Sequence, residues 1–247
     1  MSAQPIEPTA TVPPVTPVTP VTPTPAGLRS ADRGPLDDTP RLPVPRGKRV
    51  LDVVVALGLL VATAPLLLAA ALAVRLTSRG PALFRQVRVG HGGEPFVVWK
   101  LRTMRDGAEH RTSGLSALNL HADGPLFKVV DDPRVTRVGR LLRRTSVDEL
   151  PQLVQVLTGH MSLVGPRPAL PQEVERYTPA ERRRLAVRPG LTGPWQVGGR
   201  ADLTWDQAVA LDLAYVDRAY GQRGGLRTDL AVLLRTVPAV LLGRGAY

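Results

Sequence analysis

Residues 53–74 contain no charged side chain, and this run constrains the chain more than any other feature. As a helix rising about 1.5 Å per residue it would be roughly 33 Å long, enough to cross a bilayer. Its flanks complicate that reading, because Arg46, Lys48 and Arg49 precede it and Arg75 and Arg79 follow it. Basic flanks favour the cytoplasmic side, so both ends want the same side. Pro65 removes an intrahelical hydrogen bond near the middle, and the hydroxyl of Thr63 is placed to satisfy a carbonyl so freed. A re-entrant helix broken at Pro65 and a spanning helix with a proline kink both fit; a soluble core helix fits less well.

The rest of the chain falls into segments of distinct composition. Residues 1–46 repeat proline and threonine ("TVPPVTPVTPVTPTP"), which leaves too few backbone donors and too little bulky apolar surface for a core. This predicts a disordered or polyproline-like tail without a signal-peptide layout. Residues 83–101 alternate in character around the glycine-rich "HGGE" and read as a β-hairpin. Residues 102–124 read as a helix followed by a loop. Leu150, Leu153, Val154 and Leu157 recur at helical spacing, and residues 179–185 and 205–220 read as further helices separated by the loop "RPGLTGPWQVGGR". Residues 226–242 combine Leu230, Leu233, Leu234, Val237 and Leu241 with Arg227 and Arg235. They suit a membrane interface and the protein core about equally.

Over 247 residues the formal net charge is +11, which points to anionic partners such as nucleic acid, phosphorylated metabolites or lipid headgroups. The absence of cysteine excludes disulfides and thiolate metal sites, and four scattered histidines argue against zinc. Any metal would be a hard cation on oxygen, such as Mg²⁺.

Against this basic background, "SVDELPQL" at residues 146–153 sets Asp148 and Glu149 side by side. Ser146 and Glu149 have the spacing of a capping box. Pro151 fits a helix that starts later, at residues 148–150, where no backbone donor is required. The two acids then lie at the mouth of the helix. There they could cap it, bind Mg²⁺, or include a nucleophile toward phosphorus. Arg143, Arg144 and Arg167 are at hand as a positive clamp for phosphoryl transfer.

The run "DDPRVTRVGRLLRRTSVDELPQLVQVLTGHMSLVGPRPALPQEVERY", followed by "RPGLTGPWQVGGR", closely resembles the bacterial sugar transferase family, the monotopic polyprenyl-phosphate phosphoglycosyl transferases. The likeness extends through "KRVLD", the Pro65-bearing helix and "WKLRTM" upstream, and through "LDLAYV" to "GRGAY" downstream, so it covers about residues 46–247. It implies transfer of a sugar 1-phosphate from a UDP-sugar to undecaprenyl or another polyprenyl phosphate, with release of UMP, as the first membrane step of exopolysaccharide or glycoconjugate synthesis. By resemblance, Asp148 is the nucleophile that carries a covalent phosphosugar, Glu149 assists the metal site or the acceptor step, and the dyad of Asp148 and Glu149 binds Mg²⁺. Arg143 and Arg167 match the family's phosphate-contacting arginines, Arg144 stays a candidate beside them, Lys100 and Arg102 match its basic motif near the active site, and Gln196 and Arg200 are candidate contacts to the nucleotide sugar. The "GPRP" turn is a candidate for a cis bond at Pro168.

The implied fold is α+β and helix-dominated, with a re-entrant helix broken at Pro65, a small β-hairpin and amphipathic interfacial helices. The implied divisions are a tail over 1–46, a membrane helix over 47–79 and a catalytic region over 80–247, on the cytoplasmic face of the cell membrane. Partners are the donor, the lipid acceptor and the bilayer, with self-association open and nucleic acid not expected. The chain departs from the family pattern at His160, where an acid is usual, at Gln155, and at Pro194 and Gly198. It is expected to lack the additional N-terminal membrane domain of larger relatives.

Two rivals remain at this stage. A membrane-tethered binding protein explains the charge and the apolar run but gives the two acids no task, and aromatic content is only 4%, against the interleaved aromatics of nucleic-acid modules. A glycosyltransferase that moves the sugar alone would release UDP instead of UMP.

Overall fold

The computed structural model describes residues 39–108, 132–199, 203–221 and 225–241. The first element of the described residues is helix α1 (Arg46–Thr77), followed by a hairpin of β1 (Leu83–Val89) and β2 (Pro95–Leu101). Helix α2 (Arg137–Arg144), a 3-10 segment (Val147–Gln152) and α3 (Leu153–Thr158) come next, then β3 (Ser162–Val164), α4 (Pro171–Glu175) and α5 (Pro179–Arg182). A 3-10 turn (Arg183–Ala186), β4 (Gly190–Thr192), α6 (Pro194–Gly198), α7 (Trp205–Gly221) and α8 (Gly225–Leu241) complete it. This is the helix-dominated α+β architecture expected, with two small sheets.

Helix α1 forms because its central run is mostly Leu, Ala and Val, with Thr63 as its one polar side chain between residues 53 and 74. Helical structure is continuous through Pro65, so no interruption of secondary structure marks the expected break. The Thr63 hydroxyl donates to the Leu59 carbonyl at 2.7 Å. It does not reach the Val61 carbonyl that Pro65 deprives of a partner, because a helical threonine bonds back to its own preceding turn.

The buried residues of α1 lie at its two ends: Lys48, Asp52 and Ala56 near the start, Ala70 and Val74 near the finish. Between them Leu57, Leu59, Val61, Leu66 and Leu68 are exposed. Ala56 joins a core of Val98, Leu153, Val156, Met161 and Tyr215, whereas Ala70 and Val74 pack with Leu101 and Leu142. Both ends of the apolar helix therefore rest on the same folded body.

Polar anchors fix the N-terminal end. Lys48 Nζ donates to the Val164 carbonyl at 2.9 Å, to Tyr215 Oη at 3.1 Å and to Asp229 Oδ2 at 2.9 Å. Asp52 accepts from Ser162 Oγ at 3.0 Å and Leu163 N at 2.9 Å. Arg49 donates to the Val156 and Leu157 carbonyls, each at 2.7 Å, at the end of α3, where free carbonyls favour a cation.

The hairpin pairs Leu83 with Leu101 and Val89 with Pro95 in antiparallel register, as the alternation predicts. The segment "RPGLTGPWQVGGR" is not the plain loop expected. Its β4 pairs in parallel with β3, Ser162 opposite Gly190 and Val164 opposite Thr192, and Pro194 opens α6, where a missing N–H costs nothing. Glycine is required at this junction: a Cβ on Gly190 would stand 2.1 Å from Gly165 N, and one on Gly165 would stand 2.5 Å from the Arg188 carbonyl.

Two further expectations are corrected. The described residues contain no cis peptide bond, so Pro168 is trans; backbone bonds on either side already hold that turn. Residues 39–45, assigned to the free tail, dock instead: Leu42 N donates to the Ala186 carbonyl at 2.8 Å and Arg41 pairs with Glu94 at 2.5 Å. The tail before residue 39, and residues 109–124 of the expected helix and loop, lie outside the described residues.

Removing one partner of a buried ion pair strands the other charge, at about 3–5 kcal/mol. Asp229→Ala should therefore lower stability by that order, and Lys48→Met with Asp229→Leu should cost less than Asp229→Ala alone. Thermal unfolding of the detergent-solubilised variants measures both.

Candidate active site

The dyad sits where the end of α2 turns into the 3-10 segment. Thr136 caps α2 by accepting from Gly139 N at 2.9 Å. A Cβ on Gly139 would fall 1.9 Å from the Thr103 carbonyl, so glycine lets the helix press against the chain just beyond β2. That approach brings Arg143, on the last turn of α2, within reach of Thr103, whose Oγ1 accepts from Arg143 Nε at 2.9 Å.

The chain then reverses through Ser146, a non-glycine residue in the left-handed region at φ 55°. Such a residue costs roughly 1–2 kcal/mol relative to right-handed backbone, and it buys an abrupt entry that places Asp148 and Glu149 in the first turn. Ser146 makes no side-chain capping bond, so the capping-box spacing is not used as one; only the backbone bond from Glu149 N to the Ser146 carbonyl forms, at 3.2 Å.

The two carboxylates face different surroundings. Asp148 is 8% exposed. Burial and then the charge of Glu149 push its pKa up to about 6, against the pull of Lys100 and Arg143. Glu149 keeps 39% of its side chain exposed and pairs with Lys100 Nζ at 2.6 Å. Desolvation by its walls opposes its charge, but Lys100, with Arg167 and Arg88 beyond, holds it below the ordinary carboxylate value.

Of the residues expected in the site, the structure thus groups Lys100, Arg143 and Arg167 around Asp148 and Glu149. Arg167 lies 3.9 Å from Glu173, with its guanidinium 5.7 Å from the ring centre of Trp195. Gln196 is the next residue of α6, which places it on the same short helix as that ring.

Arg102 goes elsewhere. β2 ends at Leu101, and Arg102 turns to donate to the Ser78 carbonyl and Oγ, each at 3.0 Å, and to the Gly80 carbonyl at 3.2 Å; it closes the end of α1. Arg144 is exposed at the end of α2, and Arg200 lies outside the described residues.

One carboxylate with a raised pKa, another held ionised, and cations on two sides form a site suited to receiving a polyanionic ester and attacking it. The sequence model of the family described as bacterial sugar transferase matches residues 45–243. The chain belongs to the bacterial sugar transferase family. The UDP-glucose:undecaprenyl-phosphate glucose-1-phosphate transferase of Caulobacter vibrioides is 46% identical over 224 residues, spanning 87% of this chain and 76% of that protein. The exopolysaccharide production protein ExoY of Sinorhizobium fredii is 40% identical over 203 residues, 81% of this chain and 88% of the relative. The galactosyl transferase CpsE of Streptococcus agalactiae is 44% identical over 168 residues, which span 68% of this chain but 36% of that longer protein.

Sequence reasoning about this sugar transferase missed Arg88 and Thr103. Arg88 is 7% exposed, and burial followed by the charge of Arg167 lowers its pKa to about 9, with Glu173 and Glu149 opposing. The signal available was parity: Arg88 shares a strand face with Gln86, and an arginine on the inward face of a short hairpin is unusual. Thr103 offers no such signal.

Because the folded pKa of Asp148 lies above its unfolded value, the fold favours the protonated acid. That stabilising preference is complete below about pH 4 and is lost as pH rises through about 6. Asp148→Asn in EDTA should therefore raise stability at pH 7.5 by about 1–3 kcal/mol, with the gain shrinking toward zero at pH 4. Melting temperatures across that range measure the effect.

Proposed function

We propose that this sugar transferase moves a sugar 1-phosphate from a UDP-sugar to a polyprenyl phosphate, by way of an aspartyl-phosphosugar on Asp148. The observation that carries the reading is the buried Asp148 carboxyl between Arg143 and Lys100, beside an ionised Glu149. The names of two relatives agree with it: the Caulobacter protein is a glucose-1-phosphate transferase to undecaprenyl phosphate, and a Salmonella typhimurium relative, 40% identical, is an undecaprenyl-phosphate galactose phosphotransferase.

An Asp148 oxygen attacks the sugar-bearing phosphorus, the bond from that phosphorus to the bridging oxygen breaks, and UMP departs with the bonding electrons. A phosphate oxygen of the lipid then attacks the same phosphorus, and the Asp148 carboxylate is released. Arg143 and Arg167 bind phosphate oxygens and stabilise the charge that builds on them. Lys100 keeps Glu149 ionised and lowers the pKa of Asp148, favouring the nucleophilic form. Gln196, beside Trp195, and Arg200 serve the nucleotide-sugar side.

The donor set fits Mg²⁺, which takes one or two carboxylates and completes its shell with substrate phosphate and water. Asp148 and Glu149 would hold it, since among the described residues no group of three or more His, Asp or Glu forms an all-protein cage. When bound, the ion would neutralise diphosphate charge.

The membrane part of the reading rests on α1, which is long and apolar enough to cross a bilayer yet returns both ends to one folded body. Basic residues at both flanks agree with a re-entrant seat, Pro65 at its deepest part, from the cytoplasmic face. The outward apolar residues Leu226, Leu230, Leu234 and Val237 of α8 then lie in the interface.

Purified protein with Mg²⁺, polyprenyl phosphate and a panel of UDP-sugars should release UMP. Asp148→Asn should reduce turnover by at least about 10³-fold, and intact mass should show a phosphosugar adduct on the wild-type chain alone. Release of UDP, or undiminished turnover by Asp148→Asn, would refute the mechanism.

A further inference from the structure

The turn over residues 165–168, which carries Arg167, is fastened to the body at several of its backbone groups and at the residues on either side. The Val164 carbonyl before it accepts from Lys48 Nζ at 2.9 Å. Gly165 N donates to the Thr192 carbonyl at 2.9 Å, the Pro166 carbonyl accepts from Gly190 N at 2.8 Å, and the Ala169 carbonyl accepts from Val89 N at 2.9 Å. The Pro168 carbonyl is taken by a side chain: Arg88 Nη1 donates to it at 3.0 Å. Prolines on both sides of Arg167 fix φ and remove two donors that would otherwise need partners. A turn this restrained holds Arg167 at a set place and direction.

Arg88 is a costly way to supply one of those bonds. Its Nε and Nη2 are both spent on Gln86 Oε1, at 3.0 and 2.7 Å, so the guanidinium is held as a rigid fork with the third nitrogen aimed at Pro168. Among the described residues no carboxylate pairs with it directly, and after burial the largest charged influence on it is the repulsive Arg167. A buried cation beside a like charge destabilises a fold, and an apolar residue on this inward strand position would pack at lower cost. The arrangement makes physical sense if the cation serves the reaction instead of the fold.

We propose that Arg88 is a positioning residue for the transfer reaction. Its fork, braced by Gln86, holds the Pro168 carbonyl and thereby aims Arg167 at the phosphate site beside Glu149. This rests on the reading above in which Arg167 contacts phosphate. A small displacement of such a group costs rate more than binding, because the contact tightens only as charge develops in the transition state.

The test compares Arg88→Met and Arg88→Lys, each alone and combined with Arg167→Ala, by UMP release with a UDP-sugar donor and by thermal unfolding of the full chain. Arg88→Met is expected to melt no lower than the wild type, yet to lose about tenfold or more in kcat with KM for the donor within about threefold. Arg88→Lys keeps the charge but cannot bridge Gln86 and Pro168 together, and should lose kcat to a similar extent. In the Arg167→Ala background, Arg88→Met should change kcat by less than about twofold. Wild-type kcat in Arg88→Met, a loss explained by a lower melting temperature, or losses that multiply in the double variant would overturn the proposal while leaving the role of Arg167 intact. Full activity of Arg167→Ala would overturn both together.

Discussion

The ammonium of Lys48 uses all three of its protons inside the protein, on the Val164 carbonyl, Tyr215 and Asp229. Those partners belong to β3, α7 and α8, and Lys48 itself to the first turn of α1, so one buried cation joins four elements far apart in the chain. A hydrophobic contact could press the same elements together with less desolvation cost, but it would not dictate register. Three directed bonds from a single nitrogen do, and the phenol of Tyr215, which donates to Asp229 Oδ1 at 2.7 Å, stays protonated because burial and that carboxylate both push its pKa far up. The node therefore trades stability for a single arrangement. What it specifies matters downstream: Val164 is the last residue of β3, and the turn bearing Arg167 begins at the next position.

Electrostatics around the dyad follow from the same economy of space. Two adjacent carboxylates in one partly buried place cannot both ionise freely, and the surroundings decide which does. Lys100 reaches Glu149 directly, whereas Arg143 influences Asp148 while bonded to Thr103. The result separates the two acids, Glu149 held ionised and Asp148 raised, in the way that paired catalytic groups are set apart by environment. Under the proposed mechanism this ordering suits the nucleophile: the carboxyl that must form a bond to phosphorus is the one least committed to a salt bridge.

Much of this could be read from residue order, and the rest fails for identifiable reasons. The hairpin, α7 and the helix after the dyad follow local patterns of alternation or helical spacing, which need no knowledge of tertiary partners. The grouping of Lys100, Arg143 and Arg167 with the acids was implied by family resemblance, and the fold brings them together. Arg102 was carried over with Lys100 on the "WKLRTM" motif, but the strand stops at Leu101 and the next side chain swings to the end of α1. Gln196 was placed on a loop that proves to be helix α6, since Pro194 reads equally as a loop residue and as a helix start. No local signal could pair Lys48 with Asp229, or set Arg88 beside Arg167, because both facts depend on chain segments meeting across the core.

The same node bears on how the molecule meets a membrane. Asp229 lies on the buried face of α8, and Leu226, Leu230, Leu234 and Val237 lie on its exposed face. Pairing with Lys48 sets the start of α1 against that helix, so α1 and α8, each with exposed apolar residues, meet along one seam. A medium that covers the middle of α1 then meets the outer face of α8 at that seam. A straight spanning helix would carry the end of α1 away from the body, yet Ala70 and Val74 pack against Leu101 and Leu142, beside the strand that supplies Lys100 and the helix that supplies Arg143. The far end of the apolar helix thus packs beside the elements that bring Lys100 and Arg143 to Asp148, and under the proposed mechanism a lipid phosphate held at a surface into which α1 dips would arrive where it can attack the phosphorus carried on Asp148.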